Sequence, residues 1–465
     1  MGNIVAHCLC LAAMFLHMTA GLVHGSSSAV SECTHYASPT GFGSGVSPAQ
    51  SFKIADFWAR AKPGYTLCLL DGQYIGRPSM INPPQNLSGT ASAPITIRSL
   101  NDGKATINGE GTLRPVRLYH NNYFVLEGFN ARDSVASVVT IERSNYNIVR
   151  RVAAWEAAEG NYNIFAVNFG SHNLLEDVAG WGIARKIFSA SQGGNYTTIR
   201  RAWGRWEGSH VIGPKMTYTL AYNNYDMICE NCIGVWSGER MKEAYTLRDY
   251  KGKSVSRPGV ESYTNYSVDQ AYGIFGTDRL DKDKNARTRL LGSIAYVRAT
   301  DRFAPPQAVF LSKVDSFEIA DVFVYIEPGS HTSKIPFALH NLQREVASNL
   351  VAKNLTAIGG RKSIFGSDWK TSDISEGRTL ESAGNVFTSS RGANLCYRYK
   401  DGVLTREPLW PWPMNRRITD AMAESGRTPI DVTRTLESLF GAIPAACKST
   451  NAAVNSSTIL PETRR

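Results

Sequence analysis

A short phrase recurs through the middle of the chain and limits which backbones can carry it. It reads "SNYNIVRRVAAW" from Ser144 to Trp155 and "SHNLLEDVAGW" from Ser171 to Trp181. It returns as "GGNYTTIRRAWGRW" from Gly193 to Trp206 and "NNYDMICENCIGVW" from Asn223 to Trp236. Each copy opens on small or polar residues with an Asn, passes a central pair and two polar residues, and soon reaches a Trp. The central pairs are Val125-Leu126, Ile148-Val149, Leu174-Leu175, Thr198-Ile199 and Ile228-Cys229, roughly 23 to 30 residues apart. That period belongs to solenoids. Looser copies run from Phe317 to Ile326 and from Asn349 to Ile358.

The repeats are rich in Val, Ile, Tyr, Phe and Thr and too short for helix pairs. The leucine-rich pattern is absent. A strand cannot leave its N–H and C=O groups unpaired. Stacking one coil on the next pairs them, at about 4.8 Å per coil. Asn tolerates the left-handed bends and can stack its amide between coils, which nominates Asn122, Asn147, Asn173, Asn195 and Asn224. The expected fold is all-β: a right-handed parallel β-helix spanning 26–406. Open ends invite edge-to-edge pairing. Helical periodicity at about 51–61, with Phe52, Ala55, Phe57 and Trp58 apolar, predicts an N-terminal capping helix. A Pro/Trp stretch and two helical segments at 407–447 predict a C-terminal cap, followed by a loose tail at 448–465. The segment 247–290 breaks the period and reads as a loop insertion, long, basic and Tyr-rich.

Residues 1–25 read as a signal peptide: "CLCLAAMF" is a short apolar run, and Val23 and Gly25 occupy small-residue cleavage positions. The expected location is secreted, periplasmic or at the cell surface, with no membrane span once the signal is removed. Six cysteines then remain in a compartment that permits disulfides. The favoured pairs are Cys33 with Cys68 and Cys396 with Cys447, one at each end. Cys229 and Cys232 form a lone CxxC, read as core residues or a local bridge, since no second pair completes a zinc site. The net charge of +10 is scattered rather than in runs. With export, it weighs against nucleic acid as partner and fits either attraction to acidic glycans or plain solubility; a monomer is expected.

Three further stretches carry a resemblance. They are "KPGYTLCLLDGQYIG" (Lys62 to Gly76), "SGTASAPITIRSLNDGKATINGEG" (Ser88 to Gly111) and "YFVLEGFNARD" (Tyr123 to Asp133). Their order of Pro-Gly turn, Asp-Gly turn, "PITI" strand and "LEG" strand resembles the opening of secreted pectin-lyase-like β-helix proteins. The nearest pattern is the chondroitinase B and alginate lyase family of polysaccharide lyases. The resemblance covers about a quarter of the chain and lies on the scaffold, so it implies the fold more than the activity. It implies a lyase that cleaves a uronate-containing polysaccharide by β-elimination. That family's Arg-His pair, one coil beyond its Lys, has no counterpart here, so no catalytic residue is carried over.

Equivalent positions of successive coils become neighbours in a solenoid. Trp155, Trp181, Trp206 and Trp236 are therefore expected to form one column on which sugar rings stack, with Arg185 and Lys186 beside it as substrate-binding groups. Elimination from a uronate needs a cation to neutralise its carboxylate and a base to take the adjacent C–H proton. The candidates are Lys215, Arg240, His210 and Lys242. Glu207 and Glu239 offer oxygen ligands, and calcium is the expected ion; Glu156 and Glu159 follow the first Trp in the same charged patch. The alternatives are a non-catalytic glycan-binding or cell-surface β-helix protein, a uronate epimerase, or a glycoside hydrolase. The paired carboxylates of a hydrolase are not evident.

Overall fold

The computed structural model describes residues 32–158, 160–209, 215–240, 271–277, 286–298, 305, 307–311, 314, 316–329, 335–338, 350–360, 379–382, 385–388, 392–440 and 447. The expected signal segment, 1–25, and the expected loose tail, 448–465, lie outside them. The chain winds as a right-handed parallel β-helix with three sheets. Sheet A climbs in parallel from His35–Ala37 to Asn385–Thr388, sheet B from Gly72–Tyr74 to Thr356–Ile358, and sheet C from Val116–Tyr119 to Ile335–Ala338. One strand, Thr379–Ser382, closes sheet A antiparallel.

The repeated central pairs are the rungs of sheet A. Val125-Leu126 lies beside Ile148-Val149, then Leu174-Leu175, Thr198-Ile199 and Ile228-Cys229, in unbroken register. The second member of each pair points inward and is at most 1% exposed. The corner from sheet A to sheet B takes only two residues. Its first residue is left-handed in Arg151, Asp177, Arg201 and Asn231, with φ of 49–53°.

Asparagine ladders stitch the corner before sheet A. The Asn147 side chain accepts from the Phe124 N–H (2.9 Å) and donates to the Asn121 carbonyl (3.1 Å), and Asn173 accepts from the Asn147 N–H (3.0 Å). Asn122 and Asn195 belong to a second ladder, accepting from the N–H groups of Asn145 and Tyr225. Asn224 accepts from the Tyr222 N–H. None of the five adopts the expected left-handed bend. That conformation falls on the ring-bearing neighbours Tyr123, Tyr146, His172 and Tyr196, with φ of 53–59°, because the Asn amide is already fixed between coils.

Inside the coils, Phe165, Phe188, Tyr218 and Phe275 stack at 4.8–4.9 Å, the spacing of the strands that carry them. The N-terminal end is closed by α1 (Ile54–Phe57), shorter than expected, which buries Phe52, Ile54 and Phe57 beside His35. Both expected disulfides, Cys33–Cys68 and Cys396–Cys447, are present. Cys229 and Cys232 are buried and reduced, with sulfurs 2.6 Å apart.

Two expectations are corrected. The segment 247–290 is not wholly an insertion, since Ala271–Thr277 is a strand of sheet C and Arg289 begins the next strand of sheet A. The C-terminal helices do not plug the far end either. A hairpin (Tyr397–Lys400 with Val403–Pro408) docks on the outside of sheet A, where the N–H groups of Asp401 and Gly402 donate to the Glu230 carboxylate. Helices α2 (Asn415–Glu424) and α3 (Val432–Phe440) then lie along the outer face of sheet B, as a strap running back toward the first coils. Arg417 donates to the carbonyls of Gly128 and Phe129 and to the Asn130 side chain, and Glu424 accepts from Gln73, Thr106 and Asn130. The physical reason is apolar surface. Trp155, Trp181, Trp203, Ile233 and Phe323 face outward from sheet B, and Leu409, Trp412, Met414, Ile418, Met422 and Leu436 cover them. Among the described residues no helix is long and apolar enough to cross a membrane.

Phe188 is fully buried between two rings of its stack. Phe188→Ala is expected to lower unfolding free energy by about 3–5 kcal/mol, read as a reduced urea midpoint. A loss below about 1 kcal/mol would mean that the ring stack does not hold the coils together.

Candidate functional site

The strands of sheet B end at Trp155, Ile183, Gly208 and Trp236, and the strands of sheet C that follow begin at Asn163, Lys186, Lys215 and Ala271. The B–C corner therefore stacks the charged residues that follow each repeat. Two groups form there.

The outer group is a network of carboxylates and guanidinium groups. Glu156 pairs with Arg240 (2.5 Å) and Arg427 (3.3 Å), and Glu207 pairs with Arg205 (2.5 Å) and Arg427 (3.3 Å). Glu239 pairs with Arg205 (3.4 Å) and Arg298 (3.3 Å). Burial pushes the Glu207 carboxyl up, against the opposing pull of Arg205 and Arg427. Of the two carboxylates expected to hold calcium, Glu207 faces Arg205, Arg240 and Arg427, and Glu239 faces Arg205 and Arg298. Among the described residues no group of three or more His, Cys, Asp or Glu is placed to hold a metal.

Part of this network borders a groove of about 490 Å³ between the outer face of sheet B and the strap. Trp203, Ile233, Val432 and Leu436 line its apolar part, and Arg205, Arg298, Arg427, Tyr296 and Glu239 its polar part. Arg427 escapes a reading of the repeat because it arrives from the far end of the chain. Arg205 was also missed; its sequence signal is its place directly before Trp206, and in the structure it pairs in register with Trp181.

The inner group is cationic. Arg185, Lys186 and Lys215 sit together at the start of sheet C, all at most 8% exposed. Arg185 donates to the Asn161 side chain, and the Lys186 ammonium lies 4.9 Å from the Tyr222 ring centroid. Burial, and then the Arg185 charge, push the Lys215 amine down to about 7. A lysine so shifted is partly neutral near neutrality and able to accept a proton. His210, Lys242 and Glu159 lie outside the described residues.

The tryptophans are corrected most sharply. Trp155 and Trp181 stand six residues beyond Val149 and Leu175, whereas Trp206 and Trp236 stand seven beyond Ile199 and Cys229. One residue flips a strand side chain to the other face. Trp155 and Trp181 stack 4.9 Å apart on the outer face under the strap, while Trp206 and Trp236 stack 4.0 Å apart inside the coil. All four are at most 2% exposed, so they form two buried columns and no sugar platform. Among the described residues, a column of exposed and half-buried rings is formed instead by Tyr123, Tyr146, His172 and Tyr196, with centroids 4.6–5.0 Å apart. Its signal was the residue after each opening Asn or Ser. These rings cover one another's faces, so mainly their edges meet solvent.

No protein-family model and no curated protein sequence matches the chain. Among solved structures it is similar to pectate lyase Pel9A, at 12% identity over 83% of this chain and 90% of that one, with a TM-score of 0.49. It is similar to a rhamnogalacturonan lyase at 12% identity over 85% and 99%, TM-score 0.49. It is also similar to an alginate lyase from Paenibacillus sp. str. FPU-7, at 16% identity over 67% and 93%, TM-score 0.42. The fold rests on the register of its own three sheets.

The Lys215 shift has a stability consequence whose sign is fixed. Between about 7 and the ordinary lysine value of about 10.4, the unfolded chain holds a proton that the folded chain lacks. Stability therefore rises with pH across that window. Below it, the folded protein carries the full cost of the buried charge. Lys215→Met is expected to be more stable than the parent at pH 6, with the advantage shrinking by pH 9.5. Urea melts at both values check this, and a pH-independent difference would place the amine in an ordinary environment.

Proposed function

We propose that the chain acts on a uronate-containing polysaccharide by β-elimination at the B–C corner. The observation that carries this is the Lys215 amine, buried beside the Arg185 guanidinium and held near 7. In this reading Arg185 binds the uronate carboxylate and acidifies the C5–H bond. Lys215, as the neutral amine, takes the C5 proton. The C4–O bond breaks, a C4=C5 double bond forms, and the departing oxygen takes a proton from water. A base with a pKa near the working pH combines a useful neutral fraction with adequate basicity. Because Lys215 is covered, polymer binding energy must also displace what covers it, as with other enzymes that close over their substrates. Arg240 belongs to the outer network and positions Glu156. Two disulfides fit an oxidising, extracytoplasmic compartment.

A second reading, a glycan-binding module without catalysis, is favoured by the groove under the strap, where Arg205, Arg298 and Arg427 offer guanidinium groups to an acidic sugar. Epimerisation shares the proton abstraction but leaves the C4–O bond intact.

The test is incubation with pectate, alginate and chondroitin, with calcium and with a chelator, following ultraviolet absorbance of the unsaturated uronate. Activity is expected to rise with pH through about 7. Lys215→Ala is expected to reduce it by at least about 100-fold, within the range for loss of a general base. Arg185→Ala is expected to raise KM and lower kcat. Binding without absorbance favours the module, and solvent deuterium entering C5 without absorbance favours the epimerase. Full activity in Lys215→Ala removes the corner from the chemistry.

A further inference from the structure

A second cavity, of about 400 Å³, opens where α1 meets the first coils. It lies within the size range of small-molecule sites, roughly 300–1,000 Å³. Trp58, half-buried at the end of α1, forms one wall. Arg77 comes from the short turn Arg77–Ser79, Arg114 from the loop before Val116–Tyr119, and Arg117 from that strand, while Asn82 and the exposed Val135 complete the rim. Arg117 pairs with Glu142 at 3.3 Å and lies over the Tyr119 ring. Neither the Arg77 nor the Arg114 guanidinium, nor the Asn82 amide, has a partner among the described residues. Three arginines thus line a concave surface with an indole wall, and of the three only Arg117 is paired with a carboxylate.

We propose that this cavity binds a carboxylate-bearing saccharide. A guanidinium group recognises a carboxylate through two parallel N–H donors. An indole offers an apolar face to a pyranose ring, and an amide satisfies hydroxyl groups. The pocket lies along the B–C edge of the helix. Its strand Val116–Tyr119 is four steps of sheet C from the strand that Lys215 begins, roughly 19 Å at about 4.8 Å per step. A polymer lying along that edge spans both places within a few sugar units. This alignment rests on the function proposed above; the binding site itself does not.

The experiment is calorimetric titration of the full chain with trigalacturonate, with neutral maltotriose and with sodium sulfate. It uses the parent protein, the double variant Arg77→Ala/Arg114→Ala, and Lys215→Ala. The two arginines have no partners to orphan, so the double variant is expected to keep the parent melting temperature. Trigalacturonate is expected to bind the parent and Lys215→Ala alike and to lose at least about 10-fold in affinity in the double variant. Maltotriose is expected to bind far more weakly, and added salt is expected to weaken the acidic ligand. Equal trigalacturonate binding in the double variant overturns the site. Sulfate binding at the same arginines with no preference for the trisaccharide overturns the saccharide assignment and leaves an anion site. Loss of binding in Lys215→Ala alone assigns the interaction to the B–C corner and overturns the proposal. Elimination activity is measured separately, so its absence does not decide this question.

Discussion

The backbone hydrogen bonds between successive coils are the constraint from which the rest follows. They fix a register in which Leu126, Val149, Leu175, Ile199, Cys229, Leu290, Ile319 and Ala352 occupy one vertical line. Once that line is set, every other position of the repeat is set with it. The Phe165–Phe188–Tyr218–Phe275 stack, the Asn ladders and the charged B–C corner are all columns of the same lattice. No individual contact needs to be strong when each recurs in every coil.

The same lattice explains what was legible in the sequence. The central pairs announced sheet A because their period survives every insertion between them. The two end disulfides were also legible, as was the capping helix, though it proves shorter. The tryptophans misled because the eye tolerates an offset of six or seven residues and a strand does not. The register of sheet B runs unbroken from Ala179 to Gly182, where Trp181 meets Arg205 and Gly182 meets Trp206. The expected column of four indoles separates at that point. Arg427 and the strap were illegible for another reason: nothing in a local repeat says which distant segment will cover its outer face.

The candidate site separates electrostatically into two parts. In the outer network Glu156, Glu207 and Glu239 are matched by Arg205, Arg240, Arg298 and Arg427, which neutralises the carboxylates and leaves guanidinium groups facing the groove. In the inner group burial acts on Lys215 beside Arg185 and lowers the cost of losing its proton. Candidates chosen from sequence as one mixed patch therefore take different physical roles according to which side of a strand end they occupy.

The strap imposes an order on biogenesis. Its arginine and glutamate anchors, Arg417 and Glu424, grip carbonyls and side chains between Gln73 and Arg151. The ribosome makes those coils some three hundred residues before it makes their cover. Until then the nascent spiral presents bare indoles at Trp155 and Trp181 to whatever surrounds it. The outer core of sheet B is therefore complete only once α2 and α3 have been made.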